Sequence, residues 1–146
     1  MNQPSEIQPP SAEMTALREA YAALNRGDID GFIKDFDPQI MRVEFEGTPQ
    51  GGSYQGIAAV REHVIQGRST WAEGSCEPER FIIAGDRVVV ICHVRVRLNG
   101  HTDWLEGYTG DVFTWKDGKV TEFRTFAEEK DAMEFANQGQ NRERRL

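Results

Sequence analysis

The spacing of hydrophobic residues predicts three helices in the first half of the chain. One apolar stripe repeats at intervals of three and four residues, and its members are Met14, Leu17, Tyr21 and Leu24. This spacing predicts a helix over residues 12–26, ended by Gly27, because residues three and four apart share one helix face. A second, short helix is predicted over residues 29–36, before Pro38, and a third over residues 56–66.

The rest of the chain is predicted to form antiparallel strands. Alternation and β-branched residues are most marked over residues 88–98, and Asn99 with Gly100 makes a two-residue hairpin turn after them. The predicted strands cover residues 40–46, 79–84, 88–98, 104–115 and 119–127, and a helical turn over 131–136 follows. Helices followed by such strands indicate an α+β fold. A curved sheet with three helices on its concave side encloses a cone-shaped cavity, which suits a small ligand.

Composition and charge narrow the class of protein. The 146 residues are 38% hydrophobic and 28% charged, which is typical of one globular domain. We predict a disordered lead-in over residues 1–12, a single domain over 13–136 and a polar tail over 137–146. The formal net charge of −7 argues against a nucleic-acid partner, because such proteins are usually basic where they bind. No apolar run approaches the ~18 residues of a membrane span, so no membrane partner is expected.

Cysteine spacing and motif content bear on cofactors. Cys76 and Cys92 belong to no CxxC or Cys/His cluster, and two reduced thiols are typical of a cytoplasmic protein. The sequence contains no phosphate loop, nucleotide fingerprint or metal-ligand spacing. We therefore expect neither a cofactor nor a metal.

Four segments together resemble the nuclear transport factor 2-like (NTF2-like) superfamily, and more narrowly its SnoaL-like polyketide cyclase and ketosteroid isomerase branch. They are YAALNRGDIDGF at 21–32, YQGIAAVRE at 54–62, GDRVVV at 85–90 and DGKV at 117–120. The resemblance extends over about residues 14–135, nearly the whole domain. It implies the cone-shaped fold and a homodimer formed through the open face of the sheet.

The resemblance leaves the activity open. It implies a cofactor-independent isomerase, cyclase or dehydratase that abstracts a proton next to a carbonyl of a small hydrophobic or aromatic compound. The same fold also hosts hydrolases and proteins that only bind a ligand. The alternative is therefore a non-catalytic ligand-binding protein or a dimeric interaction module.

Glu44 is the first candidate catalytic residue. It lies between Val43 and Phe45 at the end of a predicted strand, so it faces either the cavity or solvent. The resemblance places at this position the carboxylate that shuttles a proton on carbon. A glutamate in an apolar cavity has a raised pKa, which suits a general base near neutral pH.

Asp111 is the second candidate. It lies in the middle of a predicted strand, where aspartate is disfavoured, and alternation puts it on one face with Thr109, Phe113 and Trp115. It is either a buried, protonated hydrogen-bond donor or an exposed charge on an edge. The resemblance matches it to the acid that donates a hydrogen bond to a developing oxyanion.

Two further positions follow from the resemblance. His63, on the third helix, matches a pocket-facing position and is the third candidate catalytic residue. It is either a packed or surface histidine, or a group that holds a ligand oxygen or relays a proton near pH 7. The tyrosine that the isomerases supply from the first helix falls on Ala20, and Tyr21 lies about 100° away around the helix. The tyrosine–acid pair of the isomerases is therefore predicted to be absent. His93 alternates onto the outer sheet face and is not a predicted catalyst.

Several apolar and aromatic side chains are candidate ligand contacts. The predicted substrate-binding residues are Tyr21, Tyr54, Trp71, Cys92, Val94, Phe113 and Phe123. Core packing alone would predict the same composition. A geometric criterion separates the interpretations: the enzyme hypothesis requires Glu44 and Asp111 to open into one cavity of about 300 Å³ or more.

Overall fold

One six-stranded sheet organises the molecule. The computed structural model of the protein describes residues 11–45, 47 and 50–144. The strands are β1 (Phe36–Glu44), β2 (Gly52–Gln55), β3 (Trp71–Ala84), β4 (Arg87–Leu98), β5 (Trp104–Lys116) and β6 (Lys119–Phe126). The helices are α1 (Ala12–Asn25), α2 (Ile29–Phe32), α3 (Ile57–Ser69) and α4 (Glu129–Arg144). The predicted α+β fold is confirmed.

The strands run in the order β2-β1-β6-β5-β4-β3. The β1–β6 pair is parallel, and the other described pairs are antiparallel. Shifts in pairing register occur within β1, twice within β3 and at the β5–β6 pair. Such bulges increase local twist, and they bend the long strands around the helices.

The inner face of the sheet carries the main core. Leu17 and Tyr21 of α1 and Val60 of α3 pack there against inward residues of the strands. Ser11 starts α1 by accepting a hydrogen bond from the backbone N–H of Met14 at 3.1 Å, as an N-cap residue does. Gly27, at φ +84°, follows its end.

The outer face is partly covered by the last helix. Ala132 and Ala136 of α4 are fully buried and pack against a second core that contains Val89, Ile91 and Val112. The outer face of β4 and β5 beyond this helix carries exposed residues, including Trp104 and Tyr108. The helix α4 therefore restricts the part of the outer face that is available to a partner.

Several predicted boundaries were wrong. The second helix ends at Phe32 and not at residue 36, because Phe36 already pairs with Val120 as the start of β1. Residues 52–55, which lie between the predicted elements, form β2. The third helix runs to Ser69, and β3 begins at Trp71 and not at residue 79.

Other expectations concern the chain ends and the loop after β1. The terminal helix continues to Arg144, past the turn predicted at 131–136. Residues 1–10, which make up most of the lead-in predicted to be disordered, lie outside the described residues. So does Glu46, the predicted end of the first strand. None of the helices in the described ranges is long and apolar enough to cross a membrane.

Candidate active site

A row of three inward side chains crosses the sheet at the open end of the cone. Glu44 on β1 pairs in register with Thr125 on β6, and Thr125 pairs with Asp111 on β5. Adjacent strands are about 4.8 Å apart, so the two acidic residues are separated by about 10 Å at the backbone. The Thr125 hydroxyl lies between them and donates a hydrogen bond to Asp111 Oδ1 at 2.6 Å.

Both carboxyl groups open into one cavity of about 410 Å³. This volume exceeds the one that the enzyme hypothesis requires. Six polar residues of the wall form one cluster, which we call the polar end: Tyr21, Arg42, Glu44, His63, Asp111 and Thr125. The other polar residues of the wall are Gln50, Arg68, Thr70 and Thr109. Most of the remaining wall is apolar, and its side chains include Leu24, Phe32, Val64, Trp71, Val94 and Phe123.

Asp111 is a buried carboxyl with several donors around it. Its side chain accepts hydrogen bonds from the hydroxyls of Tyr21 and Thr125, and the Cys92 thiol lies 3.8 Å from Oδ2. Burial raises the pKa of Asp111, while the charge of Arg42 and these hydrogen bonds partly offset the rise. The group is therefore easier to protonate than an ordinary aspartate, and a protonated carboxyl can donate one hydrogen bond.

The tyrosine that we predicted to be absent is present. The Tyr21 hydroxyl donates to Asp111 Oδ2, and the side chain is only 1% exposed. The apolar stripe of α1 sets the rotation of the helix, so Tyr21 and not Ala20 points to the sheet. Burial, followed by the charge of Asp111, raises the pKa of Tyr21 well above its usual range. Tyr21 therefore stays a neutral donor.

Glu44 is paired with Arg42, an arginine that is not among the residues predicted for the site. Arg42 Nη2 lies 2.7 Å from Glu44 Oε1, and the two side chains are 7% and 19% exposed. Burial raises the pKa of Glu44, and Arg42 opposes this rise without cancelling it. The signal in the sequence was the two-residue spacing, which puts Arg42 on the same strand face as Glu44.

Arg42 is held in place by its own set of contacts. Its guanidinium lies 3.8 Å from the centroid of the Phe123 ring, a cation–π contact. Nη1 donates to the carbonyl oxygens of Val43 at 3.1 Å and Phe123 at 3.3 Å. These contacts fix a permanent positive charge beside Glu44.

His63 faces the same polar end. Its Nε2 lies 3.0 Å from the carbonyl oxygen of Gln50 and 3.8 Å from Glu44 Oε1, and its ring packs on Tyr54 at 4.0 Å between centroids. Burial lowers the pKa of His63, and the nearby Arg42 lowers it further. The histidine is therefore neutral at pH 7, with Nε2 donating to Gln50 and Nδ1 left as an acceptor. Nδ1 has no partner among the residues that the structure describes.

The predicted ligand contacts divide into two groups. Tyr21, Trp71, Val94 and Phe123 line the cavity. Tyr54, Cys92 and Phe113 do not, since Tyr54 packs behind His63 and the other two are fully buried in the core. Cys76, two positions from the register partner of Cys92, lines the wall instead.

The remaining candidates lie elsewhere. His93 is on the outer sheet face, where its Nε2 contacts Glu106 at 2.7 Å and its ring lies 5.0 Å from that of Tyr108. Within the described ranges, no three His, Cys, Asp or Glu side chains are grouped to hold a metal ion.

Comparisons with known proteins agree with this architecture. The SnoaL-like domain model matches residues 17–123. Among solved structures, TerC co-crystallised with polyporic acid is 26% identical, with a TM-score of 0.72 over 86% of this chain and 98% of TerC. An NTF2-like protein from Burkholderia pseudomallei is 23% identical, with a TM-score of 0.74 over 86% of this chain and 97% of that protein.

A more distant likeness comes from Catenulispora acidiphila. A protein with a ketosteroid isomerase-like fold, in complex with trimethylamine, is 10% identical, with a TM-score of 0.68 over 82% of this chain and 89% of that protein. No curated protein matches the chain significantly. The domain match covers most of the sequence, and the predicted resemblance is confirmed: the chain belongs to the SnoaL-like domain family of the NTF2-like superfamily.

Proposed function

We propose that the protein binds a small hydrophobic carbonyl compound in this cavity and moves a proton at the carbon next to the carbonyl. One observation carries the proposal. Two carboxyl groups with raised pKa values, Glu44 and Asp111, open into the polar end of one otherwise largely apolar cavity. Carboxyl groups tuned in this way are typical of acid–base catalysis near neutral pH.

The proposed reaction needs only side chains of the chain. Glu44 takes the proton, and the electrons of the broken C–H bond move onto the carbonyl oxygen to give an enolate. Protonated Asp111, positioned by Tyr21 and Thr125, donates a hydrogen bond to that oxygen. Neutral His63 lies beside the base, with its Nε2 3.8 Å from Glu44 Oε1. Trp71 supplies an aromatic wall for a planar substrate.

The fate of the enolate separates the possible reactions. Return of the proton to a different carbon is isomerisation. Attack of the enolate carbon on a second carbonyl is cyclisation, and loss of a hydroxyl from the next carbon is dehydration. Small ligands in two structural neighbours, polyporic acid and trimethylamine, support a small-molecule pocket in this fold.

The test is proton exchange on a simple ketone. 2-Tetralone in D2O is followed by NMR, and we expect the protein to speed exchange of the protons next to the carbonyl. Glu44→Gln removes the base and should slow the enzyme-dependent rate by about 10²–10⁴-fold. Glu62→Gln, which changes an exposed acid on α3, should leave it unchanged. Full exchange activity in Glu44→Gln would exclude Glu44 as the base.

A second candidate function is ligand binding without catalysis. The 2.7 Å contact between Arg42 and Glu44 favours it, because a paired carboxylate is a weaker base. Retention of a cavity ligand together with exchange no faster than in buffer would support this alternative.

We further propose that the protein is a homodimer and works in the cytoplasm. The dimer would form through an open patch on the outer face of the sheet, defined as His93, Arg95, Trp104, Glu106 and Tyr108. Trp104 is 38% and Tyr108 57% exposed, which is unusual for large apolar groups of a solitary domain. Two free, buried cysteines suit a reducing compartment.

A further inference from the structure

The polar end of the cavity contains a buried cation with unused hydrogen-bonding capacity. A guanidinium has five N–H bonds in a planar fork. Arg42 uses two on the carbonyl oxygens of Val43 and Phe123, and one on Glu44. Its Nε is buried and has no acceptor in the described part of the chain. An arginine guanidinium can bind a carboxylate through two N–H bonds at once. In this structure Glu44 accepts only one N–H bond of Arg42, through a single oxygen.

The charges around Arg42 leave room for a further anion. An arginine guanidinium is a permanent cation in proteins. Both nearby acids are disfavoured as anions by burial, as their raised pKa values indicate. When Glu44 takes a proton, Arg42 loses its counter-ion at a site where its side chain is only 7% exposed. An unpaired buried charge is costly. An anion that enters the cavity therefore replaces Glu44 as the counter-ion of Arg42.

We propose that the ligand of this cavity is an aromatic organic acid, such as an enol, phenol or carboxylic acid, bound as its anion against Arg42. The aromatic part lies along the apolar wall that includes Trp71 and Val94. The inference rests on the proposed function. An enolate formed when Glu44 takes a proton carries the same charge, and Arg42 stabilises it in the same way.

Matched ligands test the preference for an anion without any turnover. 2-Naphthoate and its neutral counterpart 2-naphthamide share one ring system and differ in charge. Titration calorimetry on the full chain at pH 7 should show naphthoate binding at least about tenfold more tightly, which a charge-assisted hydrogen bond supplies. Equal affinities, or no naphthoate binding in the millimolar range, would overturn the proposal.

Three variants assign the preference to Arg42. Arg42→Gln should bring the ratio of the two affinities close to one, and Arg42→Lys, which keeps the charge without the fork, should give an intermediate ratio. Arg61→Gln removes the same charge from an exposed ion pair with Asp30 and should keep the wild-type ratio. If Arg42→Gln still prefers naphthoate to naphthamide as strongly as wild type, Arg42 is not the group that binds the anion. If that variant does not fold, the lysine variant and the wild-type ratio decide.

Glu44→Gln separates this inference from the proposed reaction. The variant no longer competes with the ligand for Arg42, so we expect it to bind naphthoate more tightly than the wild type. Weaker binding of naphthoate by Glu44→Gln would contradict the idea that Glu44 and the ligand compete for Arg42. Naphthoate has no exchangeable proton next to a carbonyl, so failure of ketone exchange and failure of the anion preference are separate results.

Discussion

At the scale of single residues, the site is defined by burial more than by identity. Asp111 and Glu44 follow from strand position together with the family resemblance, whereas Arg42 does not. Tyr21 was predicted as a ligand contact but not as the partner of Asp111, because its rotation on α1 depends on how the helix packs against the sheet. Arg42 beside an acid is typical of a solvated strand end, and its burial depends on Phe123 from a strand far along the chain.

Asp111 should make stability depend on pH in a characteristic direction. Burial raises the pKa of its folded state above the usual value of about 4. Such an acid contributes stability that is full below that value and is lost as pH rises through the folded-state pKa. Asp111→Asn does not titrate. We therefore expect its free energy of unfolding to improve relative to wild type as pH rises above about 4, as measured by urea denaturation.

The control for this experiment is an exposed acid. Glu62→Gln should follow the wild-type stability curve at every pH, because Glu62 is exposed on α3. A constant difference between Asp111→Asn and wild type across the pH range would mean that Asp111 has the same pKa in the folded and unfolded chain.

At the scale of elements, a glycine is required in the bent strand β3 but not in the regular helix α3. Gly74, in β3, has φ +121°, and a Cβ there would lie 2.2 Å from the carbonyl oxygen of Arg95. Gly67, inside α3, has no atom within 4 Å of an added Cβ. We expect Gly74→Ala to destabilise the fold by at least about 2 kcal/mol. Gly67→Ala should stabilise it by about 0.5–1 kcal/mol.

The midpoints of urea denaturation of Gly67→Ala and Gly74→Ala, compared with wild type, test both predictions. Destabilisation by Gly67→Ala would show that α3 does not tolerate a methyl group at the cavity wall. An unchanged midpoint in Gly74→Ala would contradict the close approach of β3 and β4.

The same bends explain which elements could be predicted. The first helix and β4 have unbroken periodicity, and both were predicted within one or two residues. In β3, Gly74 and the register shift after Pro78 interrupt the alternation, so the first part of the strand was not recognised. The four residues of β2 are too few to show a period, and only pairing with β1 makes them a strand.

At the scale of the whole molecule, the two faces of the sheet have separate uses. The inner face closes the cavity, and α4 covers the outer face around Val89, Ile91 and Val112. The open patch is what remains outside α4. Its side chains are already ordered by mutual contacts, since Arg95 lies 3.9 Å from the centroid of the Trp104 ring and His93 contacts Glu106. Ordered aromatic and charged groups lose little side-chain entropy on association.

If the protein is a dimer formed through the open patch, disrupting the patch should halve its molar mass in solution. Tyr108→Glu buries a charge in an apolar contact between two copies, so light scattering after size exclusion should change from a dimer to a monomer. Ile83→Glu is the matched control: Ile83 is 52% exposed, close to the 57% of Tyr108, but lies outside the patch on β3. It should remain dimeric.

A wild-type monomer at all concentrations would overturn the dimer, and a monomeric Ile83→Glu would move the interface away from the patch. Because association stabilises only the folded chain, the melting temperature of wild type should rise with protein concentration and that of Tyr108→Glu should not.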